Sequence, residues 1–144
     1  MEIIWYNIKN MDNIKNPKIL IVDDDKNFRE ILRLNLQKVG FINIEEASDG
    51  EEALNLIHNF KPELVILDVM MPNKDGVDVA LEMKSHGDLK NTKFIFLTNY
   101  GEDVIREGLE ADKKVAQELG ALDFFRKTDD LNILINKIKE IFRI

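Results

Sequence analysis

The sequence predicts an α/β domain with a doubly wound, five-stranded parallel sheet, and two patterns carry that prediction. Five short apolar runs alternate with five segments in which apolar residues recur at helical spacing. The runs are almost continuously apolar, which indicates strands that are buried on both faces of a sheet. Strict alternation with helices indicates parallel strands joined by right-handed crossovers.

The elements follow one another in a regular order, and each strand is followed by one helix. The predicted strands are KILIV (18–22), FINIEEA (41–47), ELVIL (63–67), KFIFL (93–97) and LDFF (122–125). The predicted helices space their apolar residues three and four apart, at Phe28, Ile31, Leu32 and Val39; Ala53, Leu54, Ile57 and Phe60; Val77, Ala80 and Leu81; Ile105, Leu109 and Ala116; and Leu131, Leu134, Ile135, Ile138 and Ile141. Turn residues separate the elements at Gly40, at 48–50 (SDG), at 72–76 (PNKDG) and at Gly120.

Composition narrows the class of protein. A chain of 144 residues with 44% hydrophobic residues can bury one sizeable core, so we expect a single globular domain. The formal net charge of -7 argues against a nucleic-acid partner, because affinity for nucleic acid depends mostly on Lys and Arg. There is no cysteine, no apolar run of membrane-spanning length and no signal-peptide pattern. We therefore expect a cytoplasmic protein that binds neither nucleic acid nor membrane.

Polar residues follow four of the predicted strands. They are Asp23, Asp24 and Asp25 after the first strand, Asp68 after the third, Thr98 after the fourth and Lys127 after the fifth. Parallel α/β sheets bind ligands beyond the carboxyl ends of their strands, so these residues are candidates for one site. Carboxylates from neighbouring first and third strands would repel one another unless a cation joined them. Mg²⁺, which prefers oxygen ligands, would meet that need.

The same group of residues has the chemistry that phosphoryl transfer needs. An aspartate can attack phosphorus and form an acyl phosphate. The transferred group then requires positive charge and hydrogen-bond donors around its oxygens, because positioning and electrostatics supply most of the catalysis. Lys127 could pair with one such oxygen and Thr98 could donate to another. Each residue alone has an ordinary structural explanation, and their joint occurrence favours the functional one.

Four motifs resemble the receiver domain of two-component response regulators. They are ILIVDDD, LVILDVMMPNKDG, FIFLT and GALDFFRK, and the resemblance extends over residues 18–142. It implies a flavodoxin-like fold with strand order 2-1-3-4-5. It also implies a receiver domain at residues 17–144. The extension at 1–16 is longer than receivers ordinarily carry; its apolar residues could pack on the domain or on a second copy, or Met11 could be the start and the first ten residues an artefact or a disordered tail.

The resemblance assigns a role to each residue of the predicted site. Asp68 would be the phosphoacceptor. Mg²⁺, or Mn²⁺ in its place, would be bound directly by Asp24, Asp68 and the main-chain carbonyl of Met70, and by Asp23 through water. Thr98 and Lys127 match the switch hydroxyl and the invariant lysine of the family, and Phe124 matches the aromatic switch position. His58 and His86 match no motif position, and we expect both to be ordinary surface or helix-end residues.

The resemblance also implies partners. Phosphate would come from a histidine kinase, a histidine phosphotransfer protein or a small acyl phosphate. We expect a stand-alone receiver that is a switch and not a conventional turnover enzyme. It would signal through noncovalent binding of a downstream protein at the face formed by the fourth helix, fifth strand and fifth helix. It would be a monomer or a homodimer linked to phosphorylation.

Three features depart from the receiver pattern. Thr128 follows the lysine where receivers usually have proline, so the loop could take a different path and change the reach of Lys127. Asn99 stands where receivers usually have a small residue, which predicts altered dephosphorylation kinetics. The segment 99–119 is longer than usual and reads as an extended loop with the fourth helix, most simply a tolerated insertion.

Other functions stay open at the level of the sequence. The departures at Asn99 and Thr128 would suit a receiver-like binding module that signals without phosphate. Asp23 and Asp25 form an acid pair like that of haloacid dehalogenase-type phosphohydrolases, although Asn27 stands where that pattern usually has Thr or Val. A flavin carrier is disfavoured, because the acidic loop after the first strand would repel a flavin phosphate.

Overall fold

A computed structural model of the chain describes residues 16–98, 114 and 116–143. The strands are β1 (Ile19–Val22), β2 (Ile44–Ala47), β3 (Leu64–Asp68), β4 (Lys93–Thr98) and β5 (Asp123–Arg126). The helices are α1 (Lys26–Lys38), α2 (Gly50–Phe60), α3 (Gly76–Ser85), α4 (helical at 114 and 116–118) and α5 (Leu131–Ile141), with a 3-10 turn at Asp88–Lys90. Most of the N-terminal extension and of the long 99–119 segment, including Asn99, Ile105 and Leu109, lies outside the described residues.

The five strands form one parallel sheet in the order β2-β1-β3-β4-β5. This confirms the predicted doubly wound fold and its strand order. The order reverses beside β1, so the carboxyl ends of β1 and β3 are neighbours at the point where such sheets bind ligands.

Two apolar layers cover the sheet, one on each face. On one face, side chains such as Leu20, Val65 and Phe96 pack with α2, α3 and α4. On the other face, side chains such as Ile21 and Ile66 pack with α1 and α5. Burial on both faces explains why the strands read as continuous apolar runs and do not alternate.

Two predicted helix-face residues are on the surface. Ile31 is 52% exposed and Leu81 is 48% exposed, so these two apolar residues of the helical pattern do not belong to the buried core. In α1 the buried residues are Leu32 and Leu36, one turn apart. Residue 31 lies about 100° around the helix from residue 32, which turns it away from the sheet.

The outer strand β2 carries charged residues. Glu45 is exposed, and Glu46 forms ion pairs with Arg29, at 3.0 Å, and with Arg33 of α1. These pairs also fix α1 against the edge of the sheet. No helix within the described part of the chain is both long and apolar enough to span a bilayer.

Candidate functional site

Three carboxylates meet at the carboxyl end of the sheet. β1 and β3 pair in register, with Val22 opposite Leu67, so Asp23 and Asp68 leave the sheet side by side. Carboxylate oxygens of Asp23, Asp24 and Asp68 lie within 4.8 Å of one another. Asp23 is fully buried and Asp68 is 2% exposed, whereas Asp24 faces solvent. The site therefore has a closed floor and one open side.

Lys127 supplies the positive charge of this cluster. Its Nζ lies 2.6 Å from Oδ2 of Asp23 and 3.3 Å from Oδ2 of Asp68, and its side chain is only 10% exposed. The ammonium also lies 4.9 Å from the centre of the Phe28 ring. The backbone N–H of Lys127 donates to the Thr98 carbonyl at 2.8 Å, which fixes the start of the β5 loop beside the end of β4.

Thr128 does not prevent this approach. The described residues contain no cis peptide bond, so the bond from Lys127 to Thr128 is trans. The ammonium of Lys127 nevertheless contacts both buried carboxylates. In this geometry the lysine therefore reaches both carboxylates with threonine in place of the usual proline.

Burial changes the proton affinity of the site. Desolvation, followed by the charge of Asp23, raises the pKa of Asp68 to about 7, although Lys127 and the Met70 N–H act in the opposite direction. Burial also acts to lower the pKa of Lys127, but its hydrogen bonds and ion pairs with Asp23 and Asp68 outweigh it and raise that pKa above its usual value. Asp68 is therefore poised to change charge near neutral pH, while Lys127 stays protonated.

Backbone groups orient the two buried carboxylates. The Asp25 N–H donates to Oδ1 of Asp23 at 2.9 Å, and the Met70 N–H donates to Oδ1 of Asp68 at 3.2 Å. The Arg29 guanidinium donates to the Asp23 carbonyl and also pairs with Glu46. These contacts leave the Oδ2 atoms of Asp23 and Asp68 directed at Lys127.

Asp25 does not belong to the acid cluster. Its carboxylate is the N-cap of α1 and accepts from the N–H groups of Asn27, at 3.0 Å, and Phe28, at 3.3 Å. Capping satisfies helix donors that would otherwise lack a partner. The three consecutive acids thus have different surroundings: one is buried, one is solvent-facing and one caps a helix.

Gly76 allows the loop after β3 to return to Asp68. A Cβ on residue 76 would lie 2.3 Å from the Asp68 carbonyl oxygen, a distance that no side chain can occupy. The Gly76 N–H donates to the Val69 carbonyl at 3.0 Å. This close return packs α3 directly behind the candidate phosphoacceptor.

Thr98 and Phe124 lie on the neighbouring strands β4 and β5. Thr98 is fully buried, and its Oγ1 has no hydrogen-bond partner among the described residues. Phe124 packs into the apolar layer with Phe96, Ala116 and Leu119. Their roles as a switch pair stay predictions.

The donor set fits a small hard cation. All candidate ligands are oxygens, the carboxylates converge, and the raised pKa of Asp68 records the cost of crowding them. The Oγ1 of Thr98, which has no partner within the described part of the chain, is a donor that a further anionic group could use. The residues therefore suit both Mg²⁺ and a phosphoryl group.

Several residues of this site were missed by sequence reasoning. Arg29 and Glu46 read as ordinary charged surface residues, and Phe28 reads only as part of a helix face. In the sequence Gly76 reads as a turn residue, and its close contact with Asp68 does not show. Arg29 follows Asp25 by one helical turn, and that spacing from the acid run is a signal that could have drawn attention to it.

The chain is similar to known proteins over most of its length. A family model described as the response regulator receiver domain matches residues 19–139. The chain is 40% identical over 126 residues to a probable transcriptional regulator, ycf27, of Guillardia theta. The aligned region covers 88% of this chain and 45% of that protein. It is 35% identical over 128 residues to the alkaline phosphatase synthesis transcriptional regulatory protein PhoP of Bacillus subtilis, covering 89% and 49%. The chain thus spans about half the length of these curated relatives.

Solved structures agree with these matches. The receiver domain of the Francisella response regulator 1452 superposes with a TM-score of 0.76 at 26% identity, covering 89% of this chain and 98% of that one. A putative response regulator from Chloroflexus aurantiacus gives a TM-score of 0.73 at 29% identity, covering 89% and 99%.

Proposed function

Because the chain belongs to the response regulator receiver domain family, we propose that it is a phosphorylation-dependent switch of a two-component phosphorelay, with Asp68 as the phosphoacceptor. The family is one of signalling domains and not of conventional enzymes. The observation that carries the proposal is the position of Asp68: a buried carboxylate beside two further acids and 3.3 Å from the Lys127 ammonium.

The proposed reaction transfers a phosphoryl group to Asp68. A carboxylate oxygen of Asp68 attacks phosphorus and forms a new O–P bond. The bond from phosphorus to the donor breaks, and its electron pair stays with the donor, a phosphohistidine of a kinase or phosphotransfer protein or a small acyl phosphate. The attacking carboxylate must be ionised, and its pKa of about 7 places this requirement near neutral pH.

Mg²⁺ is the proposed cofactor, with Mn²⁺ as a substitute. Asp24, Asp68 and the Met70 main-chain carbonyl would bind it directly, and Asp23 through water. When bound, the ion would supply positive charge to the carboxylates and to the incoming phosphoryl oxygens. The convergence of the three acids within 4.8 Å supports this assignment.

Lys127 and Thr98 are the proposed partners of the new phosphoryl group. The ammonium of Lys127 already contacts Asp68, so a short shift away from Asp23 would bring it to a phosphoryl oxygen. Thr98 would donate its Oγ1 hydrogen to another oxygen, which would give this buried hydroxyl a partner. Movement of Thr98 towards the site would leave space that Phe124 on the next strand could fill.

The proposed output is a change of surface. α4, β5 and α5 would form the face that a downstream protein reads, because Thr98 and Phe124 lie on the strands beside these helices. We propose a cytoplasmic protein that acts as a monomer or as a homodimer linked to phosphorylation. The phosphohydrolase alternative is disfavoured, because the Asp25 carboxylate caps α1 and does not join Asp23 in an acid pair.

The decisive experiment compares three proteins incubated with a small acyl phosphate and Mg²⁺. Wild type should gain one acid-labile, hydroxylamine-sensitive phosphoryl group, measured by intact mass. Asp68→Asn should gain none. Asp25→Asn is the matched control, since asparagine caps a helix as well as aspartate does, and it should be phosphorylated like wild type.

Two results would reject the proposal. Phosphate that persists on Asp68→Asn would move the acceptor to another residue. Absence of any phosphate on wild type, at Mg²⁺ and donor concentrations that label another receiver, would favour the binding-module alternative.

A further inference from the structure

The two histidines of the chain meet at the rim of the sheet opposite the acid cluster. His58 lies in the last turn of α2 and His86 is the C-cap of α3, and both are exposed at helix ends as the sequence predicts. Their ring centres are 5.7 Å apart and the rings are nearly perpendicular, at 88°. The chain has two histidines and no cysteine, so both of its imidazoles converge here.

A carboxylate completes this group. One ring nitrogen from each histidine and a carboxylate oxygen of Asp88 lie within 4.8 Å of one another. The Nε2 of His58 is 3.4 Å from Oδ2 of Asp88. That oxygen is buried and accepts no hydrogen bond from the described part of the chain. Among the described residues, only the nearby His58 imidazole therefore uses the coordinating capacity of this oxygen.

A hydrogen bond sets the tautomer of His86. Its Nδ1 lies 2.8 Å from the Glu82 carbonyl, which can only accept, so Nδ1 carries the hydrogen and Nε2 carries the lone pair. Metal-binding histidines commonly donate their second ring nitrogen to a backbone carbonyl in this way. The contact costs His86 part of its rotational freedom before any ligand arrives.

The loops that carry the three side chains are fixed to each other. The Thr92 hydroxyl donates to the Pro62 carbonyl at 2.7 Å, which joins the end of the 3-10 turn to the loop after α2. The Thr92 N–H donates to the Asp88 carbonyl at 3.0 Å, and Leu89 packs against the apolar layer. The spacing between His58 and Asp88 is thus set by the fold and not by a flexible loop.

The electrostatics of this rim also favour a cation. His58 is in the last turn of α2, and His86 directly follows α3, so the carboxyl ends of two helices meet at the group. Helix carboxyl ends carry partial negative charge from carbonyls that lack helical partners. The carboxylate of Asp88 adds a full negative charge.

We propose that His58, His86 and Asp88 form a binding site for a divalent transition-metal ion of the Zn²⁺ type. Two imidazoles and one carboxylate are ligands that Zn²⁺ accepts, with water in the remaining position, whereas Mg²⁺ prefers oxygen ligands alone. Zinc lies about 2.0 to 2.2 Å from such ligands, so the exposed imidazoles would close inward by about 1 Å. The bound ion would join α2, α3 and the 3-10 turn.

The proposal does not depend on phosphorylation of Asp68, and its test keeps the two sites apart. The untagged full chain is titrated with Zn²⁺ by calorimetry in excess Mg²⁺, so that the acid cluster is already supplied with its preferred ion. We expect one zinc ion per chain. His58→Gln, His86→Gln and Asp88→Asn should each weaken binding at least about tenfold. Glu51→Gln, which removes an exposed carboxylate at the opposite end of α2, is the matched control and should bind like wild type.

A second measurement guards against variants that fold poorly. The two histidines give separate imidazole resonances in wild type, and both should shift or broaden together as Zn²⁺ is added. Zinc binding of unchanged strength in both histidine variants would overturn the proposal. So would the absence of zinc binding in wild type, or a wild-type titration in which neither imidazole responds.

Discussion

The two rims of the sheet gather charge in opposite ways. At the carboxyl rim, three acids crowd together and Lys127 lies among them as a built-in cation. At the amino rim, two exposed imidazoles lie beside the Asp88 carboxylate, whose Oδ2 is buried and which pairs only with an imidazole among the described residues. At the first rim, burial makes ionisation of Asp68 unfavourable. At the second rim, the two imidazoles lie on the surface.

This difference teaches how one fold can separate two kinds of cation. Buried carboxylates suit a hard ion such as Mg²⁺, and imidazoles suit a borderline ion such as Zn²⁺. The two rims also differ in burial. Desolvation raises the pKa of Asp68 at the carboxyl rim, whereas both histidines at the amino rim are exposed. Four perturbations sharpen or break this contrast.

The largest effect should come from removing the built-in cation. Lys127→Met would leave Asp23 and Asp68 buried without an ammonium, and we expect the free energy of unfolding at pH 8 to fall by about 3 kcal/mol. The loss should shrink at pH 5, where Asp68 is protonated. Urea unfolding at both pH values measures it. Lys137→Met, whose ion pairs are 3.9 Å long and near the surface, is the control and should cost under about 1 kcal/mol.

The next largest effect should come from removing the crowded acid itself. Asp68 ionises near 3.8 in the unfolded chain and near 7 in the folded protein. Between these pH values the folded protein binds more protons, so its stability falls as pH rises, and the loss is complete above about 7. The shift corresponds to about 4 kcal/mol, and loss of the ion pair with Lys127 offsets part of it. Asp68→Asn should therefore raise the free energy of unfolding by about 2 kcal/mol at pH 8 and by much less near pH 4. A gain that is equal at both pH values would contradict the raised pKa.

The stabilisation that Mg²⁺ gives should be smaller, and it should depend on the carboxyl rim and not on the amino rim. At ten times its dissociation constant, an ion that binds only the folded state adds about 1.4 kcal/mol, which thermal melting with and without Mg²⁺ can detect. Asp24→Asn should remove most of this gain. His58→Gln should leave it unchanged, and a loss of the Mg²⁺ effect in that variant would break the separation of the rims.

The smallest effect should separate Asp25 from its two neighbours. Asp25→Ala removes an N-cap and should lower the free energy of unfolding by about 1 kcal/mol. The Mg²⁺ concentration at half saturation should stay within about twofold of wild type. A strong loss of Mg²⁺ affinity would place Asp25 in the acid cluster after all.

The fold and most of the carboxyl rim could be predicted because they depend on regular patterns. Continuous apolar runs mark buried parallel strands, and the ends of such strands must meet, so Asp23, Asp68 and Lys127 were predictable as neighbours. The division of labour within Asp23, Asp24 and Asp25 was not, since it depends on where α1 begins to within one residue.

The amino rim was beyond the reach of sequence patterns. The approach of His58 to His86 depends on the lengths of α2 and α3 and on how the two helices pack. The number of residues between His58 and His86 determines neither the helix lengths nor the packing of the helices. The contact of Gly76 with the Asp68 carbonyl is likewise set by the path of a loop in three dimensions. Ile31 shows the same limit within one helix, where neighbouring apolar residues lie about 100° apart and only Leu32 of the two is buried.

The charged edge at β2 also governs how copies of this chain can meet. An edge strand with free backbone groups invites another strand to extend the sheet, and charged side chains oppose that. Here Glu45 is exposed and Glu46 is bound by two arginines of α1, so an approaching strand would meet charged side chains along β2. At high concentration, this flank of the molecule should resist the strand-by-strand stacking that leads to fibrils.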